Sequence, residues 1–226
     1  AANASHELRT PLSAIRAAVE TLQQIDPSLD RDRYDQFLNV IERHSSRMEA
    51  MVADLLNLSR IETSPSRFKP SVINLSELLD ELRERVAARL EARQLNWITQ
   101  LPESRREIMA NPHLLQLVLE NLVDNAIKFT DPGGQIRISC GAEFDKPGEP
   151  VTFEIVDNGC GISPEDQERV FERFYQVERA RSGTERGTGL GLSIVRHAVA
   201  AMHGTVKLTS QLSQGTTVAF TIPQAE

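Results

Sequence analysis

The chain has 226 residues, 40% of them hydrophobic and 25% charged, with a formal net charge of −7 and a sequence pI near 5.4. That is enough apolar material for one large core or two small ones, while an acidic balance without a Lys/Arg cluster argues against a general nucleic-acid or anionic-membrane surface. Two cysteines, Cys140 and Cys160, are too few for a disulfide framework or a four-cysteine zinc site and point to a reducing compartment such as the cytoplasm.

The chain starts on Ala1-Ala2-Asn3-Ala4 at the edge of a helical pattern, without an initiator Met or a signal peptide. A piece of a longer protein is expected. Leu8, Leu12, Ile15, Val19 and Leu22 recur at steps of four and three, the stripe of one helix. After a turn at 26–32, Leu38, Ile41, Ser45, Met48, Val52 and Leu55 repeat that stepping and predict a second helix. The hairpin's stripe is too wide for one contact, so pairing with a second copy into a four-helix bundle is the economical way to bury it. A homodimer through residues 1–64 is expected.

Two prolines and several small polar residues in "TSPSRFKPSV" at 63–72 break the helical period and mark a linker, placed at 65–73. Beyond it, a charged amphipathic helix is predicted at about 75–94. It is followed by β-like runs "NWITQ" and "REIMA", then by a helix from Pro112 to about Thr130. "QIRISCGAEF" and "VTFEIVD" alternate as strands, a Gly-rich stretch leads to a helix near 190–202, and "TVKLTSQ" and "TTVAFTIP" close as a hairpin. Strands interleaved with helices on one face make residues 74–226 an α+β sandwich. No apolar run approaches the roughly 20 residues of a bilayer span.

Chemistry concentrates in a few places. At about 100° per residue, Leu8, Leu12 and Ile15 lie roughly 180–240° from His6, whereas Thr10 and Ser13 lie within about 40° of it. His6 is therefore expected in solvent among small polar residues, with Pro11 bending the helix just beyond. In the helix from Pro112, the stripe of Leu114 and Val118 runs on into Asn121 and Asn125, with Lys128 a turn further. Buried amides cost a few kcal/mol, about 1–3, unless partnered. These two are thus expected to face a polar cavity, where their oxygens could bind a hard cation such as Mg²⁺. "DNGCGI" at 157–162 follows a strand and offers the Asp157 carboxylate to an exocyclic amine, and "RGTGLGLSIV" runs glycines into a helix N-terminus suited to a polyphosphate.

The order of these segments resembles the transmitter region of bacterial two-component sensor histidine kinases over nearly the whole chain. "SHELRTPL" is similar to that family's phospho-acceptor box, "NLVDNAIKF" to its N box, "VDNGCGI" and "GTGLGLSIV" to its glycine boxes and "VFERFYQVE" to its F box. The resemblance implies a dimerising helical hairpin followed by a Bergerat-type ATP-binding domain. It implies that His6 takes the γ-phosphoryl group of ATP, that Glu7 orients or deprotonates the ring, and that Thr10 positions water for a phosphatase step. Asn121 and Asn125 would hold Mg²⁺. The nucleotide set it implies is Asn121, Asn125, Lys128, Phe129, Asp157, Gly159, Gly161, Ile162, Arg173, Gly187, Thr188, Gly189, Leu190, Gly191 and Leu192, with residues 159–188 as a mobile lid. A response-regulator receiver is the implied acceptor.

In the related ATPases a glutamate stands where this chain has Asn121, which disfavours direct hydrolysis. A Bergerat-type ATPase and a catalytically silent ATP-binding module are the alternatives. Gln176 stands where many relatives carry arginine, leaving Arg173, Arg179 and Arg181 as candidates for that charge, and Phe129 stands where tyrosine is common. His44, His113, His197 and His203 lack metal-ligand spacing and are expected to be structural or solvent-facing.

Overall fold

A computed structural model describes residues 2–27, 29–63, 69–102, 107–141, 150–177 and 187–224. Helix α1, Ala2–Leu22, runs without interruption past Pro11, whose ring is buried. Helix α2, Arg31–Thr63, packs back along it. Asp30 starts α2 by accepting the Arg33 amide at 3.2 Å, and its 33 residues make a rod about 50 Å long. Leu12, Val19, Leu38, Val52 and Leu56 stay exposed on this hairpin, at 39–55%, whereas Met51, Leu58 and Ile61 are buried. Leu58 and Ile61 belong to the same apolar cluster as the following domain, so the lower part of α2 is packed against that domain.

Strand β1, Ser71–Asn74, pairs antiparallel with β3, Glu107–Ala110. The predicted linker at 65–73 therefore gives up its last three residues to a strand; residues 64–68 lie outside the described residues. Asn74 then caps α3, Leu75–Ala92: its Oδ1 accepts the amides of Ser76 at 3.0 Å and Glu77 at 3.3 Å, while its Nδ2 donates to Glu77 Oε1 at 3.1 Å. Two orphan amides at the helix start are satisfied in this way. Asn111 does the same for α4, Pro112–Phe129, accepting Leu114 N at 2.9 Å, with Pro112 in the first turn where no amide is needed.

Five strands lie in the order β2-β4-β5-β7-β6: β2 Asn96–Gln100, β4 Gln135–Cys140, β5 Val151–Asp157, β6 Val206–Gln211 and β7 Gly215–Ile222. β2 and β4 are parallel and the remaining pairs antiparallel. Ile136, Ile138, Val151, Phe153, Ile155, Val218 and Phe220 alternate onto one buried face, where the Phe153 and Phe220 rings stack at 4.8 Å. The helices α4 and α5, Gly191–Ala201, pack on that face, and the opposite face carries Arg137, Glu154 and Lys207. A helical N-terminal region followed by a mixed α/β sandwich is the expected architecture. Of the predicted strand "QIRISCGAEF", residues 135–140 are strand, and 142–144 lie outside the described residues.

Candidate active site

His6 stands out from α1 with its side chain 76% exposed, its Nδ1 3.9 Å from the Glu7 carboxylate. Thr10, a turn on, is exposed and donates to the His6 carbonyl at 3.4 Å. On α1, which packs against α2, Pro11 and Ala18 are buried, and the edge carrying His6 and Thr10 is left to water.

The second part of the site lies at the end of α4. Asn121 Nδ2 donates to the Leu117 carbonyl at 2.8 Å, so its Oδ1 is the atom left facing the glycine loop. A Cβ at Gly191 would lie 2.8 Å from that oxygen and 3.9 Å from Asn125 Nδ2, and a Cβ at Gly187 would lie 3.0 Å from Lys128 Nζ. These contacts bring Asn121, Asn125 and Lys128 together with residues 187–191, although about 60 to 70 positions of sequence separate them. Lys128 also lies over the Phe129 ring, 4.9 Å from its centroid. The Asn121 amide oxygen, the Asn125 amide, the Lys128 ammonium and glycine backbone form a set suited to a hard cation and phosphates.

Asp157 closes the other end. Its Oδ1 accepts the Gly159 amide at 2.9 Å and the Thr216 amide at 3.2 Å. Burial pushes the carboxyl above its ordinary value, against the lowering effect of those two bonds. Gly159 and Cys160 seat this loop on α4: a Cβ at Gly159 would collide with the Phe129 carbonyl, which accepts Cys160 N at 3.1 Å. Gly161, at φ +69°, passes so near the Gln211 carbonyl that only glycine fits. Ile162 N is held by Ser210 Oγ at 2.8 Å.

Of the segment 159–188, residues 178–186, with Arg179 and Arg181, lie outside the described residues. The part up to residue 177 is fastened: Gln167 Nε2 donates to the carbonyls of Ile162 and Ser210, and Phe174 N donates to Gly189 O at 2.7 Å. Gln176 donates from Nε2 to the Gly187 carbonyl at 2.7 Å, so the residue replacing the usual arginine tethers the glycine loop. Leu190 is buried and Leu192 half-buried in the start of α5.

Two site residues face α2. Thr188 Oγ1 donates to Asp54 Oδ2 at 2.7 Å and accepts Leu190 N at 3.2 Å. Arg173 pairs with Glu62, as does His197 through Nε2 at 3.1 Å. Asp54 and Glu62 stand outside the residues expected at the site, and His197, expected to be structural or solvent-facing, is half-buried against Glu62. The available signal was the second apolar face of α2, formed by Met51, Leu58 and Ile61, on which both acids sit.

Residues 110–226 match the family of histidine kinase-, DNA gyrase B- and HSP90-like ATPases, and residues 1–64 match the His Kinase A (phospho-acceptor) domain. The chain is 34% identical over 223 residues to the sensor-like histidine kinase SenX3 of Mycolicibacterium smegmatis, covering 99% of this chain and 56% of that protein. It is 33% identical over 225 residues to the sensor histidine kinase WalK of Bacillus subtilis, covering 100% of this chain and 36% of that protein. Among solved structures, full-length ShkA in complex with AMPPNP has a TM-score of 0.71 at 27% identity, over 99% of this chain and 45% of that one. The chain thus spans between about a third and just over half of these curated relatives. Two such matches in tandem, one over the hairpin and one over the sandwich, mean that the chain belongs to the sensor histidine kinases.

Proposed function

We propose that this chain is a kinase core that phosphorylates itself on His6 from ATP and passes the phosphoryl group to an aspartate of a response-regulator receiver domain. The observation that carries this reading is Asn121. Its Nδ2 is spent on Leu117, so an amide oxygen faces the glycine loop, and an amide cannot take a proton from water at neutral pH. The terminal phosphate is therefore spared hydrolysis and remains available to an imidazole.

Asp157 would accept the adenine amine, and the backbone from Gly187 to Leu192 would meet the phosphates with Lys128. The ShkA complex with AMPPNP supports nucleotide in a domain of this fold. The oxygens of Asn121 and Asn125 would hold Mg²⁺, which when bound neutralises phosphate charge. His6 then attacks: a P–N bond forms as the bond from the γ-phosphorus to the bridging oxygen breaks and ADP departs, while Glu7 draws the remaining ring proton toward its carboxylate. Onward transfer breaks P–N and forms P–O on the receiver's aspartate. Thr10, a turn from His6, would position water to hydrolyse the aspartyl phosphate of that partner, releasing inorganic phosphate. The exposed Leu12, Val19, Leu38, Val52 and Leu56 support a homodimer through the hairpin, and use of cellular ATP supports a cytoplasmic site of action.

The test is incubation with γ-labelled ATP and Mg²⁺. Acid-labile label on the protein, absent in His6→Gln, is expected. Free phosphate without labelled protein would make the chain an ATPase, nucleotide binding with neither product would make it a silent module, and either result sinks the proposal.

A further inference from the structure

The face of α2 turned to the catalytic domain carries more than apolar contacts. Met51, Asp54, Leu58, Ile61 and Glu62 fall within an arc of about 100° on the helix, and Met51, Leu58 and Ile61 are buried. Within this apolar seat the two acids meet specific partners: Glu62 takes Arg173 and His197, and Asp54 takes the Thr188 hydroxyl at 2.7 Å. Thr188 lies between Gly187, which is against Lys128, and Leu190, whose amide it accepts just ahead of α5. Asp54 has thus brought an anionic oxygen to the place where a phosphate would be received.

Given the nucleotide site proposed above, we infer that Asp54 is an internal competitor for the terminal phosphate: docked on α2, the kinase domain spends its Thr188 donor on a carboxylate of its own chain. A hydroxyl has one proton to give, and a phosphate oxygen and a carboxylate oxygen cannot both lie within hydrogen-bond distance of it without facing each other as like charges. The carboxylate already stands in a costly place. It is half-buried, which raises its pKa against the lowering effect of the Thr188 bond, and Asp124 adds repulsion. A polyphosphate entering beside it would add more, so Mg-ATP binding and docking on α2 oppose one another.

The docked position is also offset along the hairpin from the acceptor. From Leu22 back to His6 is about 24 Å of helix, and from Arg31 forward to Asp54 about 35 Å. Counted along the helices, Asp54 thus lies about 10 Å further from the turn than His6, whereas transfer needs the reacting atoms within about 3.5 Å. Leaving α2 frees Thr188 for the nucleotide and frees the domain to travel toward the histidine.

Affinity for Mg-ATP of the whole chain, wild type against Asp54→Ala, tests this, with Glu62→Gln as a second variant that loosens the same docked face through Arg173 and His197 without touching Thr188. Asp54→Ala should bind about tenfold more tightly, the scale of one charge-assisted hydrogen bond, and Glu62→Gln should shift the same way by less. Linkage requires the reciprocal effect: saturating Mg-ATP should lower amide-exchange protection over residues 51–62 in the wild type. Unchanged or weaker binding in Asp54→Ala, or protection over 51–62 that ignores Mg-ATP, overturns the inference while leaving the kinase reading intact. A wild-type chain that binds no Mg-ATP overturns both.

Discussion

Asp157 is the residue at which binding and stability are most directly opposed. Its carboxyl is pushed upward by burial even though two backbone amides favour the ionised form, so the folded protein holds that proton more tightly than the unfolded chain does. Stability carried by the protonated form is complete below the unfolded value of about 3.9 and is lost as pH rises through the elevated folded value. Asp157→Asn keeps an oxygen for the Gly159 and Thr216 amides and removes the buried charge. It is expected to melt at a higher temperature than the parent at pH 7. The gap should shrink as pH is lowered toward 4 in a series of thermal scans, and a variant that melts lower at pH 7 would refute the assignment. Nucleotide affinity should fall at least tenfold in the same variant, because a charge-assisted hydrogen bond to the adenine amine is exchanged for a neutral one.

At the scale of elements, the caps decide where helices begin. Asn74 ends β1 and starts α3 with three hydrogen bonds, so Asn74→Ala should cost about 1 kcal/mol, read as a midpoint shift in urea unfolding without change of slope. An unaltered midpoint would mean that the cap contributes nothing. The elements legible in the sequence were those whose period repeats: α4 is apolar around much of its circumference and bounded by Asn111-Pro112, and β5 alternates from Val151 to Ile155. β1 was illegible because four residues behind a proline, with Ile73 alone buried, show no period. Its strand character comes from β3, paired more than 30 residues away. The nucleotide loops were legible because glycine spacing is a local requirement. The fates of Arg173 and Thr188 were not, since the α2 acids that engage them lie 111 and 134 residues away in sequence.

For the whole molecule, α2 is the common wall. Val52 and Leu56 remain exposed, whereas Leu58 and Ile61 join the apolar cluster of the sandwich, the two sets lying about 170° apart around the helix. If the exposed set meets a second copy, the parent should sediment at twice its 25.2 kDa. The double variant Leu12→Glu/Leu56→Glu should sediment at 25.2 kDa while still binding Mg-ATP, because neither position touches the nucleotide site. A parent that stays monomeric at tens of micromolar would refute the self-association. A stiff rod cannot turn one flank without turning the other. Torque applied to the bundle from either end would therefore present or withdraw the seat on which the kinase lobe rests, so twisting alone could be converted into the choice between parked and working.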